Sequence, residues 1–252
     1  MKLLVLAGTT EARKLCTLLA QEPAFEVIAS LAGVTRAPKP LPVPTRIGGF
    51  GGAEGLASFL RAEQIGVLID ATHPFASRIS DDAFFAARET GTQLLRLERP
   101  SWPNRVGWKH YNELKQALEA LPSNAKPFLA TGSGSAGELA EWSGTGAVLR
   151  VAEPLDNPPP GIKIITARPP FSVTEETALF RRLEITHLIT KNAGGKVGEA
   201  KLDAADTLGI KVFVIDRPDA ISPINLVETP EDALNWLLAH VASRTSDDAK
   251  TT

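Results

Sequence analysis

Short uninterrupted apolar runs alternate with helical periodicity along almost the whole chain. Runs at 3–7, 26–31, 67–71 and 93–97 predict strands, and patterns at 10–21, 53–63 and 75–90 predict the helices between them. An apolar run with no polar alternation is what a strand buried on both faces looks like. These strands therefore belong to a parallel sheet covered by helices, each helix a right-handed crossover.

The pattern breaks at Glu98-Arg99-Pro100-Ser101-Trp102-Pro103-Asn104, which is proline-rich and aperiodic. It restarts with strands at 127–131, 147–151, 162–166, 187–190 and 211–215, and helices at 112–120, 135–142, 173–183, 196–208 and 230–241. The fold class is α/β. Two lobes are expected, 1–99 and 100–242, each with a mainly parallel sheet, followed by a polar tail at 243–252 that reads as disordered. One doubly wound sheet is the alternative.

In such sheets ligands sit beyond the carboxyl ends of the strands, so the residues that directly follow each run carry the chemistry. After the first run come Gly8-Thr9-Thr10-Glu11-Ala12-Arg13. A glycine and two hydroxyl residues at a helix start can hold a phosphate on backbone N–H groups and the positive dipole end, with Arg13 in reach; they also cap the helix. This is not the G-x-G-x-x-G fingerprint, so a dinucleotide does not follow from it alone. After the second run come Ser30, Thr35 and Arg36, with no acid between Leu31 and Pro44. An acid there favours a free ribose 2′-hydroxyl and a base favours a 2′-phosphate, so a dinucleotide bound here would be NADP(H). Arg46-Ile47-Gly48-Gly49-Phe50-Gly51-Gly52 either wraps a ligand or turns into the next helix.

After the third run, Asp70-Ala71-Thr72-His73-Pro74-Phe75-Ala76 places a carboxylate, a hydroxyl and an imidazole at a helix start. His73 is a candidate proton donor, ligand contact or turn cap. Thr131-Gly132-Ser133-Gly134-Ser135 repeats the logic of the first turn in the second lobe. Lys191-Asn192-Ala193-Gly194-Gly195-Lys196, with Lys201 beyond, reads as an anion-holding nest, without the spacing of a P-loop. No G-x-S-x-G elbow supports serine hydrolysis. No second histidine or cysteine stands at ligand spacing, so no metal is expected.

Composition narrows the classes. The chain of 252 residues is 43% hydrophobic, enough for a sizeable core. A net charge of −2 argues against a nucleic-acid partner. The single cysteine, Cys16, falls on the first helix and fits a reducing cytoplasm. Met1 and Lys2 lead straight into a strand, leaving no leader, and no apolar run approaches the ~20 residues of a membrane span.

The motifs taken in order, with Arg168-Pro169-Pro170-Phe171-Ser172, Ala204-Ala205, Leu208-Gly209-Ile210 and Arg217-Pro218, resemble the precorrin-6A reductase family of cobalamin (vitamin B12) biosynthesis from Leu3 to about Val241. Asp70 to Ala76 and the Lys191 to Gly195 turn carry most of that resemblance. Ala12 stands where the family commonly has glycine, and Ala193 where it has serine. The resemblance implies two Rossmann-like lobes with an interlobe cleft. It implies NADPH-dependent reduction of a ring double bond of precorrin-6A to give precorrin-6B, by a monomer or weak homo-oligomer. Cofactor contacts then fall to Gly8, Thr9, Thr10, Arg13, Ser30, Thr35, Arg36, Thr72, His73, Asn192, Gly194 and Gly195. A polycarboxylate macrocycle needs several cations, for which Arg78, Arg168, Lys191, Lys196, Lys201 and Arg217 are placed, with Thr131, Ser133 and Ser172 as hydroxyl donors. His73, Lys191 or water supplies the proton. A two-lobed nucleotide-sugar or phosphate-ester transferase and a non-catalytic nucleotide sensor are the competing readings.

Overall fold

The computed structural model describes residues 1–33, 39–219, 221 and 225–248, with the backbone alone for 244–248. In chain order the elements begin β1 (Lys2–Leu6), α1 (Thr10–Leu19), β2 (Glu26–Leu31), β3 (Thr45–Ile47), α2 (Ala53–Ala62), β4 (Val67–Asp70), α3 (Ser77–Thr90) and β5 (Gln93–Leu97). They continue with β6 (Lys109–Tyr111), α4 (Leu114–Glu119), β7 (Pro127–Ala130), α5 (Ala136–Glu141), β8 (Val148–Val151), β9 (Lys163–Thr166) and α6 (Val173–Arg182). Last come β10 (His187–Lys191), α7 (Ala200–Leu208), β11 (Lys211–Ile215), β12 (Leu226–Val227) and α8 (Pro230–Asp248).

The strands form two six-stranded sheets, ordered β12-β5-β4-β1-β2-β3 and β6-β11-β10-β7-β8-β9, in which the paired strands run parallel. Both are doubly wound. Counting outward from β1 or from β7, each sheet has the 3-2-1-4-5-6 order of dinucleotide-binding folds. The sixth strand differs in origin. In the first sheet it is β12, which comes last in the chain; in the second it is β6, which comes before the rest of its sheet.

Packing divides the chain into one unit of Met1–Arg99 plus the segment from Asp219 onward, and a second of Pro100–Pro218. The boundary at 99/100 falls where the pattern breaks. The far boundary corrects the expected 100–242 lobe: the chain returns to the first unit at Asp219. Leu226 and Val227 extend the first sheet beside Arg96 and Leu97, and Ala233 and Leu237 of α8 are buried in its core. The apolar periodicity of 230–241 predicts a helix but does not say which sheet it covers. The backbone of α8 stays helical through Asp248, so 243–248 departs from the expected disordered tail; 249–252 lie outside the described residues.

Alternation explains the unbroken apolar run at the start. Leu3 and Val5 face α1 and α8, packing with Leu15, Cys16, Leu19 and Leu237. Leu4 and Leu6 face α2 and α3, packing with Leu56, Leu60, Ala83 and Ala86. The second unit buries Phe128, Phe180, Leu188, Val212 and Val214 with Trp102 and Trp108. The three strands that the pattern did not predict, β3, β6 and β12, are short edge strands with few buried residues. No described helix is long and apolar enough to cross a membrane.

Candidate functional site

Strand order reverses between β1 and β4 in the first unit, and between β7 and β10 in the second. Chains leaving adjacent strands in opposite directions open a crevice there. The turns that follow these four strands carry four of the motifs singled out in the sequence.

After β1, Gly8 adopts φ +144°, a conformation open to glycine, and exposes its backbone. Thr9 caps α1: its Oγ1 accepts from Ala12 N at 3.0 Å and donates to Ala71 O at 2.8 Å, at the end of β4. That hydroxyl proton is committed, so the expectation that Thr9 offers it to phosphate is corrected; Thr9 braces the two lips of the crevice. The first-turn N–H groups of Thr10 and Glu11 precede the intrahelical ladder and can hold an anion. Arg13 donates to Lys39 O and Pro40 O at 2.7 and 2.6 Å, so it props the segment after β2 rather than facing a phosphate. Arg99, which the sequence reading passed over, reaches Glu11 at 2.6 Å and brings a cation to the same helix start.

After β4, a buried polar network sets the Thr72-His73 turn. Asp70 is 2% exposed and ion-pairs with Arg96, which also donates to Ser80 Oγ at 2.6 Å and to Glu98 Oε2 at 2.6 and 3.0 Å. Asp70 Oδ1 accepts from Thr72 N at 3.1 Å and Thr72 Oγ1 at 2.7 Å. The Thr72 hydroxyl proton is therefore also committed, against its expected cofactor contact. Burial pulls the Arg96 guanidinium down, but Asp70 and Glu98 outweigh it and hold the pKa above its ordinary value. His73 Nδ1 accepts from Phe75 N at 3.2 Å, which puts the ring proton of the neutral imidazole on Nε2. Arg78 is exposed in the first turn of α3.

After β2, Ser30 is buried and accepts from Arg46 Nη1 at 2.8 Å. Arg46 sits on β3 directly opposite Ser30 in the sheet register. Thr35 and Arg36 lie outside the described residues.

In the second unit, Thr131 follows β7 and is 5% exposed, and its Oγ1 has no hydrogen-bond partner among the described residues. A buried hydroxyl without a partner fits a site completed by a ligand. Lys191 ends β10, the neighbouring strand, and is half-buried. Burial pulls its ammonium pKa below the ordinary value, with Glu138 opposing part of that. Ser133 and Lys196 are exposed at the two turns.

The rest of the second turn holds backbone. Asn192 Oδ1 accepts from Trp102 N at 2.9 Å, and Gly195 O accepts from Trp102 Nε1 at 3.0 Å. A Cβ on Gly194, whose φ is +69°, would meet Pro100 O at 2.0 Å. Arg217 Nε donates to Asn192 O at 3.0 Å, and Lys201 Nζ donates to Gly198 O at 2.6 Å while lying 4.6 Å from the Trp102 ring centroid. These contacts give Asn192, Gly194, Gly195, Lys201 and Arg217 a structural task in place of the expected ligand contacts: they seat the segment that opens the second unit. Arg168 is exposed and pairs with Glu153. Ser172 caps α6 in a capping box with Glu175. Among the described residues no cluster of histidine, cysteine and carboxylate side chains forms a metal site.

Fold and crevice together define a two-unit α/β protein of the nucleotide-binding type. The family described as precorrin-6x reductase CbiJ/CobK matches residues 2–238, and the chain belongs to that family. It is 42% identical over 247 residues to a precorrin-6A reductase of Rhodobacter capsulatus, covering 96% of this chain and 98% of the relative. It is 32% identical to a cobalt-precorrin-6A reductase of Methanothermobacter thermautotrophicus, covering 96% of this chain and 83% of the relative. The solved structure of a CobK precorrin-6A reductase aligns with a TM-score of 0.88 at 40% identity, over 95% of this chain and 97% of that one. This family membership does not favour the transferase reading.

The network after β4 makes a direct prediction. Asp70→Ala leaves the Arg96 guanidinium buried with only Glu98 as a carboxylate partner, so unfolding free energy in urea should fall by roughly 3–5 kcal/mol. Glu98→Ala should cost less, because that carboxylate is the more exposed partner (20% against 3% side-chain exposure). Equal losses would place the anchor elsewhere.

Proposed function

We propose that the protein reduces a ring double bond of precorrin-6A to give precorrin-6B, with NADPH as reductant and a cobalt-free macrocycle as substrate. The observation that carries this reading is the coincidence of the family's motifs with the strand-order reversals of both sheets. The higher identity to the relative named for precorrin-6A than to the one named for its cobalt form supports the metal-free ring.

Bound NADPH supplies the hydride. The protein's share is to hold the diphosphate on the Thr10 and Glu11 N–H groups, with Gly8 allowing close approach and Arg99 adding positive charge. His73 offers Nε2–H as a fixed hydrogen-bond donor. On the second unit, Lys191, Lys196, Ser133 and the unpartnered Thr131 hydroxyl engage substrate carboxylates, and Arg78 adds a cation from the first. The net reaction consumes one proton besides the hydride. Lys191 gives it: a depressed ammonium pKa makes a better acid than a neutral imidazole. With one buried thiol, the protein works in the cytoplasm, as a monomer or weak homo-oligomer.

The absorption spectrum of precorrin-6A mixed with the protein and NADPH tests the function. Loss of ring conjugation should require all three components and should be slower with cobalt-precorrin-6A. An unchanged spectrum with authentic substrate would overturn the proposal.

Lys191 has its own test. The ammonium must carry the proton, so kcat should fall as pH rises through its depressed pKa, below the ordinary 10.5. Unfolding is not the cause: a lysine harder to charge in the folded state adds stability as pH rises through that window. Lys191→Arg keeps the charge but does not release a proton, so it should lose kcat by about 100-fold or more with KM little changed. A wild-type kcat in Lys191→Arg would remove Lys191 from proton transfer.

A further inference from the structure

Arg46 is a cation held in place without an anion. Its Nη1 donates to Ser30 Oγ at 2.8 Å and Gly48 O at 2.9 Å, and its Nη2 donates to Gly49 O at 3.0 Å. Its Cζ lies 3.9 Å from the Phe50 ring centroid, and Phe59 stands behind at 5.4 Å. All these partners are neutral, and among the described residues no carboxylate comes within ion-pair distance. Arg61, Arg96, Arg99, Arg105, Arg150 and Arg168 each pair with an acid. Burial lowers the Arg46 pKa with no carboxylate to oppose it. Five guanidinium N–H groups less these three bonds leave Nε–H and one Nη2–H for another acceptor.

The position gives the acceptor its identity. Arg46 lies on β3 beside the last residues of β2, and in a 3-2-1-4-5-6 sheet the adenosine ribose of a dinucleotide lies beyond the carboxyl end of β2. No acid stands at Leu31, Ala32 or Gly33 to receive a free 2′-hydroxyl. We infer that Arg46, steadied by Ser30 and by the Gly48-Gly49 carbonyls, receives the 2′-phosphate of the cofactor and sets the preference for NADPH over NADH. This rests on the nicotinamide-dependent reading above. It moves the specificity determinant from Arg36, where the sequence placed it, to a residue ten positions on that the sequence pattern put in a glycine-rich turn.

The test measures kcat/KM with NADPH and with NADH, and calorimetric binding of adenosine 2′,5′-bisphosphate and of 5′-AMP. Wild type should favour NADPH and the bisphosphate. Arg46→Met should cut that preference by about 10-fold or more while kcat/KM with NADH stays within about twofold. Arg46→Lys, which keeps the charge and loses the fork, should fall between the two and serves if Arg46→Met does not fold. Arg36→Gln should retain most of the preference. The inference is overturned if both Arg46 variants keep the wild-type ratio, or if NADH and NADPH suffer equally, as they would if Arg46 only held the turn. A wild type that binds neither nucleotide would instead overturn the cofactor reading itself.

Discussion

The reversal of strand order beside β1 and beside β7 is the constraint on which the site depends. A parallel sheet must send its crossovers to one face or the other, and where the direction changes the chain leaves a crevice with backbone N–H groups at its rim. In the first unit Thr9 spans that point, accepting from its own helix and donating to Ala71 at the end of the neighbouring strand. The brace leaves the first-turn N–H groups of α1 as the anion-binding feature.

Around that rim the polar groups divide into those already satisfied and those that are not. Asp70, Thr72, Arg96, Ser80 and Glu98 form a closed network that fixes the turn carrying His73. In the second unit Asn192, Gly195 and Arg217 bind main chain. The groups that look outward for a partner are few: the Thr131 hydroxyl and the remaining N–H groups of Arg46. Lys191, half-buried and depressed in pKa, is the reactive member of the set. A low-dielectric wall makes each such group worth more to an anionic ligand than the same group in water.

The sequence made the sheets legible because their central strands are buried on both faces. Leu3 to Leu6 and Val67 to Ile69 read as strands with no partner needed. It did not reveal β3, β6 or β12, whose exposed edge residues carry no periodic signal. Nor did it show that the chain after Pro218 returns to the first sheet, since helix amphipathicity names a face and not a neighbour. Among site residues, position after a strand was enough to find Thr131, Lys191 and His73. It was not enough to separate a ligand contact from a structural one. Asn192 and Gly194 look like a nest in sequence, and only the Trp102 N–H and the Pro100 carbonyl show what they hold. Arg46 and Arg96 were missed for the converse reason: each lies within a strand, and its role comes from the strand beside it.

The central claim is that hydride passes from the nicotinamide to a carbon of the macrocycle. NADPH carrying deuterium at C4, prepared separately as its two stereoisomers, tests this by mass spectrometry of the tetrapyrrole product. The account predicts a product heavier by one deuterium from one stereoisomer and unlabelled product from the other. Unlabelled product from both, with precorrin-6A consumed, would contradict it.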